Sequence, residues 1–228
     1  MKNESRTLFS ILHSQFYIRL VRWAFHRFYH EFAWTYDAVA ALVSGGSWVA
    51  WARAALPYLS GQVLELGCGT GNLQRALAER AGARGMDASA QMLSQARSKL
   101  ARAGQPIRLV RAFAQALPFP SSSFDSLVAT FPSEFIVDPA TLAEARRVLR
   151  PGGRLVIVLA AAFARYRLYE RLVGLAYRLT LQRSPRVNAS RPPESIVGAQ
   201  LMRAGFSVVE RWEPVGDDRV HLVIGTRN

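Results

Sequence analysis

The stretch VLELGCGTGN, Val63 to Asn72, constrains this chain's fold more than any other. Val63–Leu66 is a short apolar run ended by Gly67, and GNLQRALAERA from Gly71 has helical spacing. A strand that enters a helix through closely spaced glycines bares its backbone, so that a ligand can approach where Cβ atoms would block it. The rest of the chain repeats the alternation. Ala83–Asp87 reads as a second strand, and Ser89 caps the helix AQMLSQARSKLARAG. PIRLVRA and FDSLVATF read as further strands. Asp138–Pro139 opens the helix ATLAEARRVL, and RPGG turns the chain into the strand RLVIVLA. After the helix ESIVGAQLMRAGF come SVVERWE and RVHLVIGT, too close together for a helical crossover, so they must pair as an antiparallel hairpin. The expectation is an α/β protein. Its Rossmann-like, seven-stranded, mainly parallel sheet carries helices on both faces, an antiparallel C-terminal hairpin and a helical N-terminal cap.

Two cofactor classes use a glycine turn of this kind. The dinucleotide fingerprint Gly-x-Gly-x-x-Gly needs its third glycine at position 72, which is Asn72. Here the glycines are Gly67, Gly69 and Gly71, preceded by the acid Glu65. Asp87, at the end of the second strand, can accept hydrogen bonds from both hydroxyls of a ribose. Spacing alone leaves the dinucleotide reading open as the runner-up.

Several stretches, in order, carry a resemblance: YD (Tyr36–Asp37), VLELGCGTGN, GMDASAQML, ALPFPSSSFDSLVATF and RVLRPGGRLVIV. From about Tyr36 to the C-terminus the chain resembles the class I S-adenosylmethionine-dependent methyltransferases, in the subgroup acting on quinone rings and phospholipids. The resemblance implies that Glu65 and Gly67, Cys68, Gly69 and Gly71 lie along the methionine moiety of the cofactor and that Asp87 binds its ribose. Met86 or Met92 is expected near the adenine, with Ala114, Gln115 and Thr130 completing the cofactor wall. One departure concerns adenine recognition. Relatives usually read Gly-Asp-Ala where this chain has Ala112, Phe113 and Ala114, so backbone groups around Ala114 and Gln115 must serve in place of an acid.

Methyl transfer asks mainly for alignment of donor and nucleophile. A base is needed only where the acceptor is not already nucleophilic, and the candidates are Tyr36, Glu134 and His30. Glu134, in TFPSEFI, falls on the methyl-donor side. It can accept a proton there or simply cap the following loop. Tyr36 is expected as a lid contact. A scaffold of this kind that binds the cofactor without catalysis is the rival class.

Composition bears on the acceptor. The chain of 228 residues is 50% hydrophobic and has no apolar run long enough to span a bilayer. Its N-terminus lacks the pattern of a signal peptide, and the single cysteine, Cys68, excludes an intramolecular disulfide and a cysteine-cluster zinc site. The expected location is cytoplasmic, peripheral to a membrane where docking occurs. The formal net charge of +13 is almost wholly arginine. That excess reflects either a compositional bias or attraction to a polyanion. In the N-terminal segment Phe9, Leu12, Phe16, Leu20 and Trp23 repeat at helical spacing, beside a stripe of Gln15, Arg19, Arg22, His26 and His30. A second such segment has Leu168, Leu172, Leu175 and Leu179 on one face and Arg167, Arg171 and Arg178 on another, with Arg183, Arg186 and Arg191 beyond. Basic amphipathic helices of this composition lie in membrane interfaces or dock on the protein's own core. The expected division is therefore residues 1–61 as cap helices and 62–228 as the cofactor-binding domain, with a helical insertion at about 163–193. The expected acceptor is small and lipophilic or membrane-associated, with a phospholipid amine or a quinone-like ring as the two classes and a soluble small molecule as the alternative. An anionic membrane surface is a possible partner. Nucleic acid is not expected, for no RNA-binding module is recognisable.

Overall fold

The structure is a computed structural model that describes residues 40–41, 44–80, 82–162 and 195–228. The two amphipathic segments, Tyr36 and His30 lie outside the described residues.

One seven-stranded sheet organises the chain, in the order β3-β2-β1-β4-β5-β7-β6. The strands are β1 (Val63–Leu66), β2 (Arg84–Asp87), β3 (Leu109–Arg111), β4 (Phe124–Thr130), β5 (Leu149–Ala162), β6 (Phe206–Val215) and β7 (Asp218–Arg227). The pairs among β1 to β5 are parallel, and β7 runs antiparallel to both β5 and β6. The sheet matches the expected architecture, hairpin included. The two residues between β6 and β7 are Gly216 and Asp217, and Gly216 has φ 61°, the left-handed first corner of a two-residue hairpin turn.

The helices are α1 (Trp48–Arg53), α2 (Gln74–Leu77), α3 (Ala90–Arg102), α4 (Pro139–Val148) and α5 (Ile196–Arg203), with 3₁₀ turns at Leu56–Tyr58 and Glu134–Val137. Every residue of β1 is buried, as a central parallel strand covered on both faces requires. On one face Val63, Val128, Val156, Val158, Leu222 and Ile224 meet Trp51, Leu73 and Leu77 from α1 and its neighbours. On the other, Leu64, Leu127, Leu155, Ile157 and Val223 meet Leu142, Ala145, Val197 and Leu201 from α4 and α5. Ser89, Asp138 and Ser195 cap α3, α4 and α5 by accepting from the N–H of Met92, Ala140 and Gly198.

Two local expectations are corrected. The glycine turn consumes the start of the expected first helix, so α2 is only Gln74–Leu77. RPGG is not a turn before β5 but an excursion within it: Leu149 pairs with Phe124, and pairing resumes at Arg154 opposite Ser126. Arg150 anchors that excursion with two hydrogen bonds to the Asp125 carboxylate, at 2.7 and 2.8 Å. α1 itself packs into the core. Trp51 is 2% exposed, and its indole N–H donates to Asp218 at 3.1 Å. Truncating such a side chain costs about 3–5 kcal/mol.

Candidate cofactor site

The order of strands reverses between β1 and β4, since β2 and β3 lie on one side and β4, β5 and the hairpin on the other. In open α/β sheets the crevice beyond the carboxyl ends at such a point receives ligands. The glycine turn sits there. Gly67, Gly69 and Gly71 all have positive φ, at 70°, 53° and 81°, a region that side chains disfavour. The three also meet different surroundings. A Cβ on Gly71 would stand 2.9 Å from the Cβ of Ala96 on α3, whereas a Cβ on Gly69 would meet nothing within 4 Å. Gly71 thus lets a helix approach, while Gly69 faces open space.

The acids close this cradle. Glu65 is 1% exposed and accepts a 2.6 Å hydrogen bond from Gln74 Nε2. Burial, reinforced by the nearby Asp87 charge and opposed by the Gln74 bond, pushes its carboxyl up to about 8. At neutral pH it therefore holds a proton until a cation arrives to stabilise the anion. Asp87 Oδ2 accepts from the Gly69 N–H at 2.9 Å and Oδ1 from the Ser89 N–H at 2.8 Å. These two backbone N–H groups fix the orientation of the carboxylate at the carboxyl end of β2. Cys68 is buried, and burial holds its thiol protonated, well above the usual thiol range. Its N–H donates to Met86 O at 2.9 Å, tying the turn to β2.

Asn72, which departs from the dinucleotide fingerprint, has a definite task. Its Oδ1 accepts from Lys99 Nζ at 2.6 Å, and the same ammonium donates to Thr70 Oγ1 at 3.2 Å. The turn is thereby stapled to α3 by a polar contact.

The other residues expected at the site divide by position. Met86 is 2% exposed and committed to the core against Leu64, Leu66 and Leu127. Met92 is buried in the first turn of α3, directly after Asp87 and its cap Ser89. Ala114 is buried, and Gln115 donates to Asp138 at 3.0 Å, so its amide is spent on the start of α4. Phe113 stands 66% exposed just beyond β3. Thr130 ends β4, and the next residue, Phe131, has φ 47°. A bulky side chain adopts that conformation only where surrounding contacts enforce it. Trp48 provides them, with its ring centroid 4.2 Å from that of Phe131. The bend leads into Ser133 and the exposed Glu134, which opens the 3₁₀ turn Glu134–Val137.

Sequence reasoning missed three functional neighbours: Phe135, Gln74 and Lys99. Phe135 reaches back over the cradle, so that a Cβ on Gly67 would lie 3.3 Å from its Cζ. Only Gln74 carried a legible signal, one helical turn past the glycines. Among the described residues no group of three or more His, Cys, Asp or Glu is placed to hold a metal.

Relatives decide what this cradle belongs to. A methyltransferase domain family matches residues 63–153. The chain is 37% identical over 219 residues to the demethylmenaquinone methyltransferase of Thermus thermophilus, covering 85% of this chain and 98% of that protein. The chain belongs to the class I S-adenosylmethionine-dependent methyltransferases, in the quinone-type subgroup. It is also 34% identical over 141 residues to the ubiquinone/menaquinone biosynthesis C-methyltransferase UbiE of Marinomonas sp., a match spanning 57% of this chain and 56% of the relative. Among solved structures, an S-adenosylmethionine-dependent methyltransferase of Thermotoga maritima described as a possible histamine N-methyltransferase superimposes with a TM-score of 0.60. That match covers 89% of this chain and 99% of that one at 20% identity, and so shows the fold alone.

For a methyltransferase of this family, the cofactor is S-adenosylmethionine. The residues present fit it. The open space over Gly69 admits a ligand against bare backbone, a buried acid stands beside the glycine turn, and Asp87 is held at the end of β2 by the Gly69 and Ser89 N–H groups.

Proposed function

We propose that this methyltransferase acts on a small lipophilic ring of the quinol type. Glu65 and the glycine turn hold the amino-acid end of the cofactor, and Asp87 holds its ribose. The likeness to the demethylmenaquinone methyltransferase, across nearly that protein's whole length, carries the reading. When bound, the cofactor supplies a methyl group on a sulfonium centre, ready for in-line displacement.

The chain's own contribution is placement and one proton. Gly67 and Gly69 let the donor lie against backbone N–H groups, and Phe135 roofs the turn beside the place where an aromatic ring would stack. Phe131, held against Trp48, leads into the turn that bears Glu134, which is proposed to face the acceptor. In a C-methylation of a quinol the ring carbon forms the new C–C bond as the C–S bond breaks. One proton would be released in all: the phenol would give up its own as the ring carbon attacks, and the proton on that carbon would then leave as one returns to the oxygen and aromaticity is restored. Glu134 is the group proposed to take up one of these protons, and Tyr36 is proposed to close over the acceptor. With Phe113 apolar, Met92 and the backbone at Ala114 and Gln115 are proposed to hold the adenine.

The test is turnover with labelled donor on four acceptors: a short-tailed demethylmenaquinol, its oxidised quinone, a phosphatidylethanolamine and a water-soluble catechol. Methylation of the quinol at carbon, at least ten-fold above the others, is the expected result. Preferential turnover of the phospholipid or of the catechol would refute the acceptor assignment while leaving the methyltransferase assignment intact.

A further inference from the structure

A cleft of about 490 Å³ lies between α4 and α5, lined by Pro139, Leu142, Ala143, Gln200, Ala204 and four arginines: Arg146, Arg147, Arg203 and Arg227. It is separate from the cradle. Both helices start at the carboxyl edge of the parallel strands and run away from it, so their arginine-bearing ends gather at the opposite edge of the sheet.

Arginines near helix C-termini ordinarily serve the terminal carbonyls. Here several of those carbonyls are already served. Arg227 donates to Arg147 O and Leu149 O at the end of α4, and the N–H groups of Ser122 and Ser123 take Arg147 O and Val148 O at 2.9 and 2.8 Å. At the end of α5 the Ala204 and Gly205 N–H groups take Gln200 O and Met202 O, each at 3.0 Å. Arg147 is occupied by Glu144, in a two-pronged pair at 2.7 and 2.8 Å, and by the carbonyls of Leu117 and Phe119. Arg146 and Arg203 remain. Both are exposed, and neither makes a hydrogen bond or ion pair among the described residues. The Arg146 guanidinium lies over Gly205, close enough that a Cβ there would be 3.5 Å from its Cζ, which leans it toward the end of α5.

Surplus guanidiniums converging on one cleft repel each other until an anion joins them. The stretches outside the described residues carry more basic than acidic side chains. Residues 163–194 carry seven arginines against two glutamates, and residues 1–39 carry five basic side chains against three acidic. Besides the polar Gln200, the remaining walls are apolar: Pro139, Leu142, Ala143 and Ala204. The volume falls in the range of small-ligand pockets. We infer that this cleft binds an organic phosphate, with Arg146 and Arg203 gripping its phosphoryl group and its apolar body lying along Leu142 and Ala204. Planar guanidiniums match phosphoryl oxygens in the paired manner that this task needs. The source is either a soluble phosphoester or a phospholipid headgroup.

Calorimetry on the full chain with octyl phosphate below its micellar concentration, inorganic phosphate and octanol tests the inference, alongside sedimentation with phosphatidylglycerol vesicles. Octyl phosphate should bind at least ten-fold more tightly than inorganic phosphate, and octanol should not bind. The variants Arg146→Gln and Arg203→Gln should each weaken octyl phosphate by roughly ten-fold or more while leaving S-adenosylhomocysteine affinity unchanged, which certifies the fold. Vesicle binding that falls in the double variant would name the headgroup as the source; vesicle binding that does not fall, with octyl phosphate lost, would name a soluble phosphoester. Equal binding of octanol and octyl phosphate, binding untouched by the two substitutions, or no binding of octyl phosphate and no vesicle binding sensitive to them would overturn it.

Discussion

Glu65 is proposed to hold the cofactor's amino-acid end, so cofactor binding should release a proton. With its carboxyl pushed up to about 8 by burial, the ligand-free protein carries a proton there at pH 7. The ammonium of the cofactor's amino-acid end favours the anion, so binding must expel that proton. The linkage is simple. Apparent affinity should rise about ten-fold per pH unit from pH 6 toward 8, then flatten above the folded value, and roughly nine-tenths of a proton should be released per molecule bound at pH 7. Calorimetry of S-adenosylhomocysteine in buffers of different ionisation enthalpy measures both quantities. Glu65→Gln should bind more weakly and lose the pH dependence, because the amide has no proton to surrender. The same substitution tests the stability side. A carboxyl raised in the folded state contributes stability that is fully present below its ordinary value of about 4.5 and is lost as pH rises through about 8. The ligand-free wild type should therefore weaken between pH 6 and 9 by an amount on the order of a few kcal/mol, and the Gln variant should not. Affinity that stays flat from pH 6 to 9, with no proton released, would refute the reasoning.

Two further expectations concern the glycines and the basic segments. Gly71→Ala should lower stability by about 1–3 kcal/mol in chemical denaturation, since it adds a methyl group against Ala96 at positive φ. Gly69→Ala faces open space and should cost only about 1 kcal/mol, yet should weaken S-adenosylhomocysteine by ten-fold or more. Equal effects of the two on stability would contradict the division of labour. Docking on anionic bilayers through residues 6–33 and 163–183 is proposed from their arginines and apolar stripes, each cation near the surface adding about 1 kcal/mol. Cosedimentation with anionic vesicles at low salt should be strong and should fall with charge reversal at Arg19, Arg22 and Arg171. Protein left in solution at low salt would show instead that the stripes pack internally.

What the sequence determined by itself is whatever depends on short-range spacing. The run Val63–Leu66, the three alternate glycines, Asp87 at the end of the next strand and the serine and aspartate caps all act within a few residues of one another. Their pattern sufficed for the sheet, the closing hairpin and the cradle, because local backbone preferences and hydrophobic period agree there. Tertiary structure decided whatever depends on which distant groups meet. That Met86 joins the core with Leu64, Leu66 and Leu127 depends on which sheet face the helices cover. Lys99 reaches Thr70 and Asn72 only because Gly71 lets α3 come close, and Phe135 reaches Gly67 only because Phe131 is bent and held by Trp48. The ionisation of Glu65 is likewise invisible in its neighbours along the chain. An acid in a strand is ordinary until the packing around it removes the water that would have stabilised its charge.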